Sequence, residues 1–228
     1  MKIARLAAAT AVAALMTAGA ASANTLKLTG WSAGSGQSVS VNSPVKNGGV
    51  NAGAFNVTDT NPGTLGSFIA FCLDLAATVN LPGGPYNYAV TNTPFSNSSM
   101  ATGAVNRIQA IFDSSYSTAV ATASAVTSAG FQVALWNAVY DNDWTVASGS
   151  FKASNNTSVT AQANAYLLAA STYGGAQNWD LTYLESTDTN PRHQNLVTAS
   201  PVPLPAAGLM LLGALGGLAG LRRRRKAA

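Results

Sequence analysis

One cysteine, Cys72, and one histidine, His193, are all the chain carries of the two residue types most used for disulfides, metal sites and general bases. A single cysteine makes an internal disulfide impossible, and an odd cysteine in an exported chain points to intermolecular pairing or a special thiol. His193 stands in the loop segment NPRHQN with no second histidine or cysteine nearby, which excludes a zinc site. A Ser-His-Asp arrangement would have to use that one histidine, and no nucleophile elbow is present. There is no glycine-rich phosphate loop. Asp141 and Asp143 are not followed by EF-hand spacing, so they are expected to terminate and solvate a helix end rather than hold calcium. No metal or cofactor is expected.

Charge is also scarce, at 9% of the 228 residues, and its distribution corrects a misleading total. The formal charge is +4, but seven of the twelve basic residues (Lys2, Arg5, Arg222, Arg223, Arg224, Arg225 and Lys226) lie at the two ends. The body keeps Lys27, Lys46, Arg107, Lys152 and Arg192 against eight acids, a net of −3. That removes the electrostatic footprint of a nucleic-acid binder.

The ends read as export signals. Lys2 and Arg5, the apolar run Leu6 to Ala20 and the small residues Ala21-Ser22-Ala23 form a secretion signal, residues 1–23, with Asn24 as the new N-terminus. At the other end SPVPLP is followed by sixteen apolar residues, 206–221, and then the basic cluster. As a helix that run spans about 24 Å, short of the ~30 Å hydrocarbon core but close to the minimum for a transmembrane segment. The basic cluster would stay on the cytoplasmic side. Taken alone this is a tail anchor. The order of Val202-Pro203-Leu204-Pro205-Ala206, a Gly-rich apolar stretch and terminal arginines resembles the VPLPA/PEP-CTERM sorting signal of Gram-negative bacteria. The resemblance implies processing of residues 201–228 by an exosortase-type enzyme, a transient stay in the inner membrane, and arrival at the cell surface or extracellular matrix.

Between the signals, residues 24–200 are enough for one ordinary domain. Alternating patterns predict strands at 25–31, 37–41, 54–58, 86–91, 180–184 and 196–198. Residues 66–75, GSFIAFCLDL, are largely apolar and read as a central strand buried on both faces. A helix capped by Ser98 or Ser99 is expected to carry Val105, Ile108, Ile111 and Phe112. Residues 119–140 read as helical with a break at Gly130, and 159–170 as a third helix stopped at Gly174-Gly175. The expected class is α+β: a β-sandwich or barrel-like body with a helical insert.

The helical stretch GFQVALWNAVYD is apolar almost all round, so it is expected to be buried. Gln132 then lies in the core, where an unpaired amide costs about 1–3 kcal/mol. Ordinary hydrogen bonds are one remedy. Loss of ammonia to the Cys72 sulfur is another, if the two side chains are held in near-attack geometry. A lone buried cysteine is equally an ordinary small hydrophobe.

Here FCLD (Phe71 to Asp74) and FQVALW (Phe131 to Trp136) resemble the two blocks of Cys-Gln thioester domains of bacterial surface adhesins. Phe131 stands where threonine often precedes the glutamine, and Leu135 where isoleucine is usual. The resemblance implies a thioester between Cys72 and Gln132, opened once by an amine-bearing surface ligand or exopolysaccharide in adhesion or matrix formation. Such capture is not turnover, so the chain is not expected to be an enzyme. Phe71, Phe131 and Trp136 are the expected shield against water. The alternative is a structural or carbohydrate-binding surface module with an ordinary thiol.

Overall fold

Alternation along the strands decides the architecture, because one side-chain row faces inward while the other faces helices on part of the sheet and solvent on the rest. The computed structural model describes residues 23–203 apart from 62–64, 93 and 97. Strands β1 (Ala23–Trp31), β4 (Phe55–Asp59), β5 (Ser67–Cys72), β6 (Gly83–Thr91), β8 (Trp179–Ser186) and β9 (Leu196–Pro201) close into a barrel in the order β1-β4-β5-β9-β8-β6. Every pairing is antiparallel. The expectation of a sandwich or barrel thus resolves into a closed barrel, which leaves its sheet no free edge. A second sheet, β3-β2-β7, is built from β2 (Gln37–Asn42), β3 (Asn47–Ala52) and β7 (Lys152–Ser154).

Registers fix what points inward. Leu28 pairs with Val57, Phe55 with Ala70, and Cys72 and Leu184 both with Leu196. These residues share the interior face. Phe71 pairs with Val197, which pairs with Tyr183, on the opposite face. There Phe71 meets the rings of Phe112, Tyr116 and Phe131 from the helices. Residues Ala70, Phe71 and Cys72 are buried on both sides, as the apolar run predicts.

The helical insert comprises α1 (Ala104–Ala121), α2 (Ala125–Tyr140) and α3 (Thr157–Ser171). Two expectations fail here. The first helix starts after Gly103, at φ 76°, and not at a serine cap. The break between α1 and α2 falls at Ala123, at φ 46°, whereas Gly130 is inside α2. Gly130 is small for a packing reason: a Cβ there would sit 2.7 Å from the Gln162 Cγ on α3. β3 and β7 were not foreseen. The sequence of β3, NGGVNA, is polar and mostly exposed, so it carries no burial pattern.

The secretion signal lies outside the described residues except for Ala23, which opens β1. The segment 206–221, the basic tail and Leu204 to Ala206 also lie outside; only Val202 and Pro203 of the sorting motif are described. Among the described residues no helix is long and apolar enough to cross a membrane.

Candidate functional site

Cys72 is the last residue of β5, and Gln132 is in the second turn of α2; both are buried. The strand end has no ladder partner there for all its backbone groups, and the amide of Gln132 fills the gap. The Cys72 N–H donates to Gln132 Oε1 at 2.8 Å, and Gln132 Nε2 donates to the Cys72 carbonyl at 2.5 Å. A side-chain amide thus acts as one more residue of sheet, tying α2 to β5. This is the hydrogen-bonding remedy for a buried amide.

The sulfur faces a different glutamine. Cys72 Sγ is 2.8 Å from Oε1 of Gln194, which lies just before β9. Gln194 is held at three points: Nε2 donates to the Asp74 carbonyl at 2.7 Å, its own carbonyl accepts from the Tyr88 hydroxyl at 2.9 Å, and the Cys72 thiol meets its Oε1. The next residue along, Asn195, accepts the Leu73 N–H on its carbonyl at 2.9 Å, locking the two segments in register. The structure therefore brings Gln132 to the main chain of Cys72 and Gln194 to its thiol.

Asp74 is fully buried and supports this frame. Its carboxylate pairs with Arg192, accepts the Ala76 N–H at 2.7 Å and is 3.5 Å from the Tyr140 hydroxyl. That hydroxyl in turn accepts the Leu75 N–H at 2.9 Å. Burial pushes the Tyr140 phenol well up, so it stays protonated. Burial, with the Asp74 charge behind it, also pushes the Cys72 thiol well above its ordinary range. The free thiol is thus a poor nucleophile in the finished fold, since the thiolate is the reactive form.

The three expected shields do not act alike. Phe71 and Phe131 are fully buried with ring centres 4.8 Å apart, but on the helix side of β5, away from the sulfur. Trp136 lines an open cleft of about 390 Å³ together with Trp31, Lys46, Phe55, Leu75 and Gln194. Gln194 is therefore reached from this cleft.

His193 is next to Gln194 but turned to other work: its ring is 3.9 Å from that of Tyr86, and Nδ1 is 3.3 Å from the Thr78 carbonyl. Among the described residues no three acidic, histidine or cysteine groups gather as for a metal. Asp141 is buried rather than solvated, and organises the loop after α2. It accepts N–H groups from Asn142 at 2.7 Å and Phe151 at 2.8 Å.

Sequence reasoning passed over Gln194, Arg192 and Tyr140. Gln194 sits in a polar loop, where an amide has no need of explanation. Its only sequence signal is a place directly ahead of a short apolar strand, and what makes it a site residue is barrel closure.

No family model and no curated protein sequence matches the chain. Among solved structures, the N-terminal domain of the Streptococcus pyogenes pilus tip adhesin Cpa is similar at 13% identity and TM-score 0.43, over 73% of this chain and 93% of that one. The N-terminal thioester domain of a surface protein from Clostridium perfringens is similar at 12% identity and TM-score 0.44, over 73% of this chain and all of the other. A cysteine-to-alanine mutant of a Clostridium perfringens thioester domain gives 14% identity and TM-score 0.44, over 65% and 89%. All three are N-terminal domains of bacterial surface proteins, and two of them are thioester domains.

Proposed function

We propose that the domain is an exported surface module that captures a partner covalently through an internal thioester between Cys72 and Gln194. The observation that carries this is the 2.8 Å approach of the Cys72 sulfur to the Gln194 amide, in a site where the amide nitrogen is already held by Asp74. Gln132 is then the clamp that fixes the Cys72 main chain and not the acyl donor.

In forming the bond, sulfur attacks Cδ of Gln194, the C–N bond breaks, and ammonia leaves with the thiol proton. Fixed geometry supplies what a poor electrophile lacks. The product contains neither a thiol nor an amide, so the burial that penalises a thiolate no longer has a charge to penalise. A nucleophile entering by the cleft would attack Cδ, the C–S bond would break, and the nucleophile's proton would pass to sulfur. The reaction occurs once per molecule. Export by the N-terminal signal and sorting through the VPLPA-type tail would deliver the domain to the outside.

The test is the intact mass of residues 24–200 together with a thiol count. A mass lower by one ammonia and no titratable thiol are expected, both restored to full mass and one thiol in Gln194→Ala. Lys46 lines the same cleft, so the thiol count is essential: a Lys46–Gln194 amide would give the same mass with a free thiol. Full mass with a free Cys72 in material kept from amine buffers overturns the thioester. A deficit that survives Gln194→Ala and vanishes in Gln132→Ala would return the acyl role to Gln132.

A further inference from the structure

We infer that the indole N–H of Trp136 is the donor reserved for the side-chain oxygen of Gln194, and that it takes up the charge on that oxygen during acyl transfer. The inference rests on the thioester reading and adds a catalytic residue to it. It starts from an orphan. Trp136 is only 2% exposed, yet its Nε1 is buried with no hydrogen-bond partner among the described residues. Buried donors are almost always paired, so this one points to an acceptor that the resting state withholds.

Helix spacing places that acceptor. Gln132, Trp136 and Tyr140 follow one another at intervals of four along one face of α2. Gln132 binds the main chain of Cys72, and the Tyr140 hydroxyl accepts the Leu75 N–H. Trp136, midway between them, therefore lies over Leu73 and Asp74, and the Asp74 carbonyl is what holds Gln194 Nε2. Trp136 and Gln194 also line one cleft. Other donors at this point are committed: the Tyr88 hydroxyl to the Gln194 main-chain carbonyl and the Leu73 N–H to Asn195.

In the resting amide, Gln194 Oε1 is turned to the Cys72 sulfur. Attack needs the sulfur to face Cδ instead, so the oxygen swings off it and gives up its thiol donor. As the C–S bond forms, an electron pair moves onto Oε1, and it returns when ammonia leaves with the thiol proton. The same oxygen takes the charge again when a nucleophile opens the thioester. One fixed donor there is worth about 100-fold in rate.

The experiment uses exported protein with a verified mass deficit. Ammonium chloride opens the bond and restores the Gln194 amide and the thiol; its removal lets the bond re-form. Trp136→Phe would open a cavity as well as remove the donor. The decisive variant therefore carries 3-benzothienylalanine at position 136, which keeps the ring shape with sulfur in place of the N–H. Opening and re-formation should both slow about 100-fold at an unchanged melting temperature, and the thioester carbonyl stretch should rise in frequency. Wild-type rates, or slower rates with an unchanged stretch, overturn the assignment and leave the thioester standing. If the wild type has no mass deficit, the thioester reading fails. The donor is then judged in Cys72→Ala, where Oε1 has lost the thiol. An indole proton of Trp136 shifted downfield from its place in the Cys72→Ala, Gln194→Ala double variant supports it, and an unshifted one overturns it.

Discussion

Two glutamines meet the same cysteine, and they differ in which part of it they hold. Gln132 is bound to the main chain and Gln194 to the sulfur, so their substitutions should separate stability from chemistry. Gln132→Ala leaves a buried N–H and a buried C=O without partners and should lower stability by about 3 kcal/mol in urea unfolding. Gln194→Ala should cost less and abolish the proposed thioester. Removing the bond also exposes a pH dependence. Burial raises the folded-state pKa of the free Cys72 thiol, so its stabilising contribution is complete below the unfolded value, about 8.5, and is lost as pH rises above it. Gln194→Ala should therefore lose stability from about pH 8.5 upward. A wild type that holds the proposed thioester has no thiol to titrate and should lack that component. Equal losses in both would mean the wild type carries a free thiol.

At the scale of elements, the structure shows why some boundaries were legible in the sequence and others were not. The apolar rows of β5 and α2 were legible because burial on every side leaves no polar interruption. The polar strand β3 carried no such pattern, and the helix break at Ala123 has no residue that demands it. Gly130 misled because glycine signals backbone freedom and close approach alike. Here α3 lies against it, so Gly130→Ala should destabilise by about 1–3 kcal/mol despite improving helix propensity, with Gln162 forced aside. The loop after α2 makes a second case. Burial pushes the Asp141 carboxyl up, but hydrogen bonds from the N–H groups of Phe151, Asn142 and Asp143 outweigh it and hold its pKa below the ordinary value. Its contribution is thus present above about pH 4 and lost as pH falls through the lower folded value. Asp141→Asn should be less stable than wild type at neutral pH, and the gap should narrow in acid. A gap constant down to pH 2 would remove the carboxylate from the account.

For the whole molecule, the site depends on closure. Cys72 and Gln194 are 122 residues apart in sequence, and they meet because β9 inserts between β5 and β8. That separation is why the sequence could offer Cys72 and an amide but not the right neighbour. The closing strand has a mechanical consequence. A ligand bonded to Gln194 and a tail attached beyond Pro201 are joined by the covalent backbone of β9 alone. Tension between them runs along that strand and bypasses the helices and the other strands of the barrel. The domain could lose its fold under load without lengthening the tether. A single-molecule pull between a Gln194-linked handle and the C-terminus should therefore show almost no gain in contour length before rupture. A pull between the two ends of the domain should show the full unfolded length. A long gain in the first geometry would place the acyl link far upstream, as a bond through Gln132 requires.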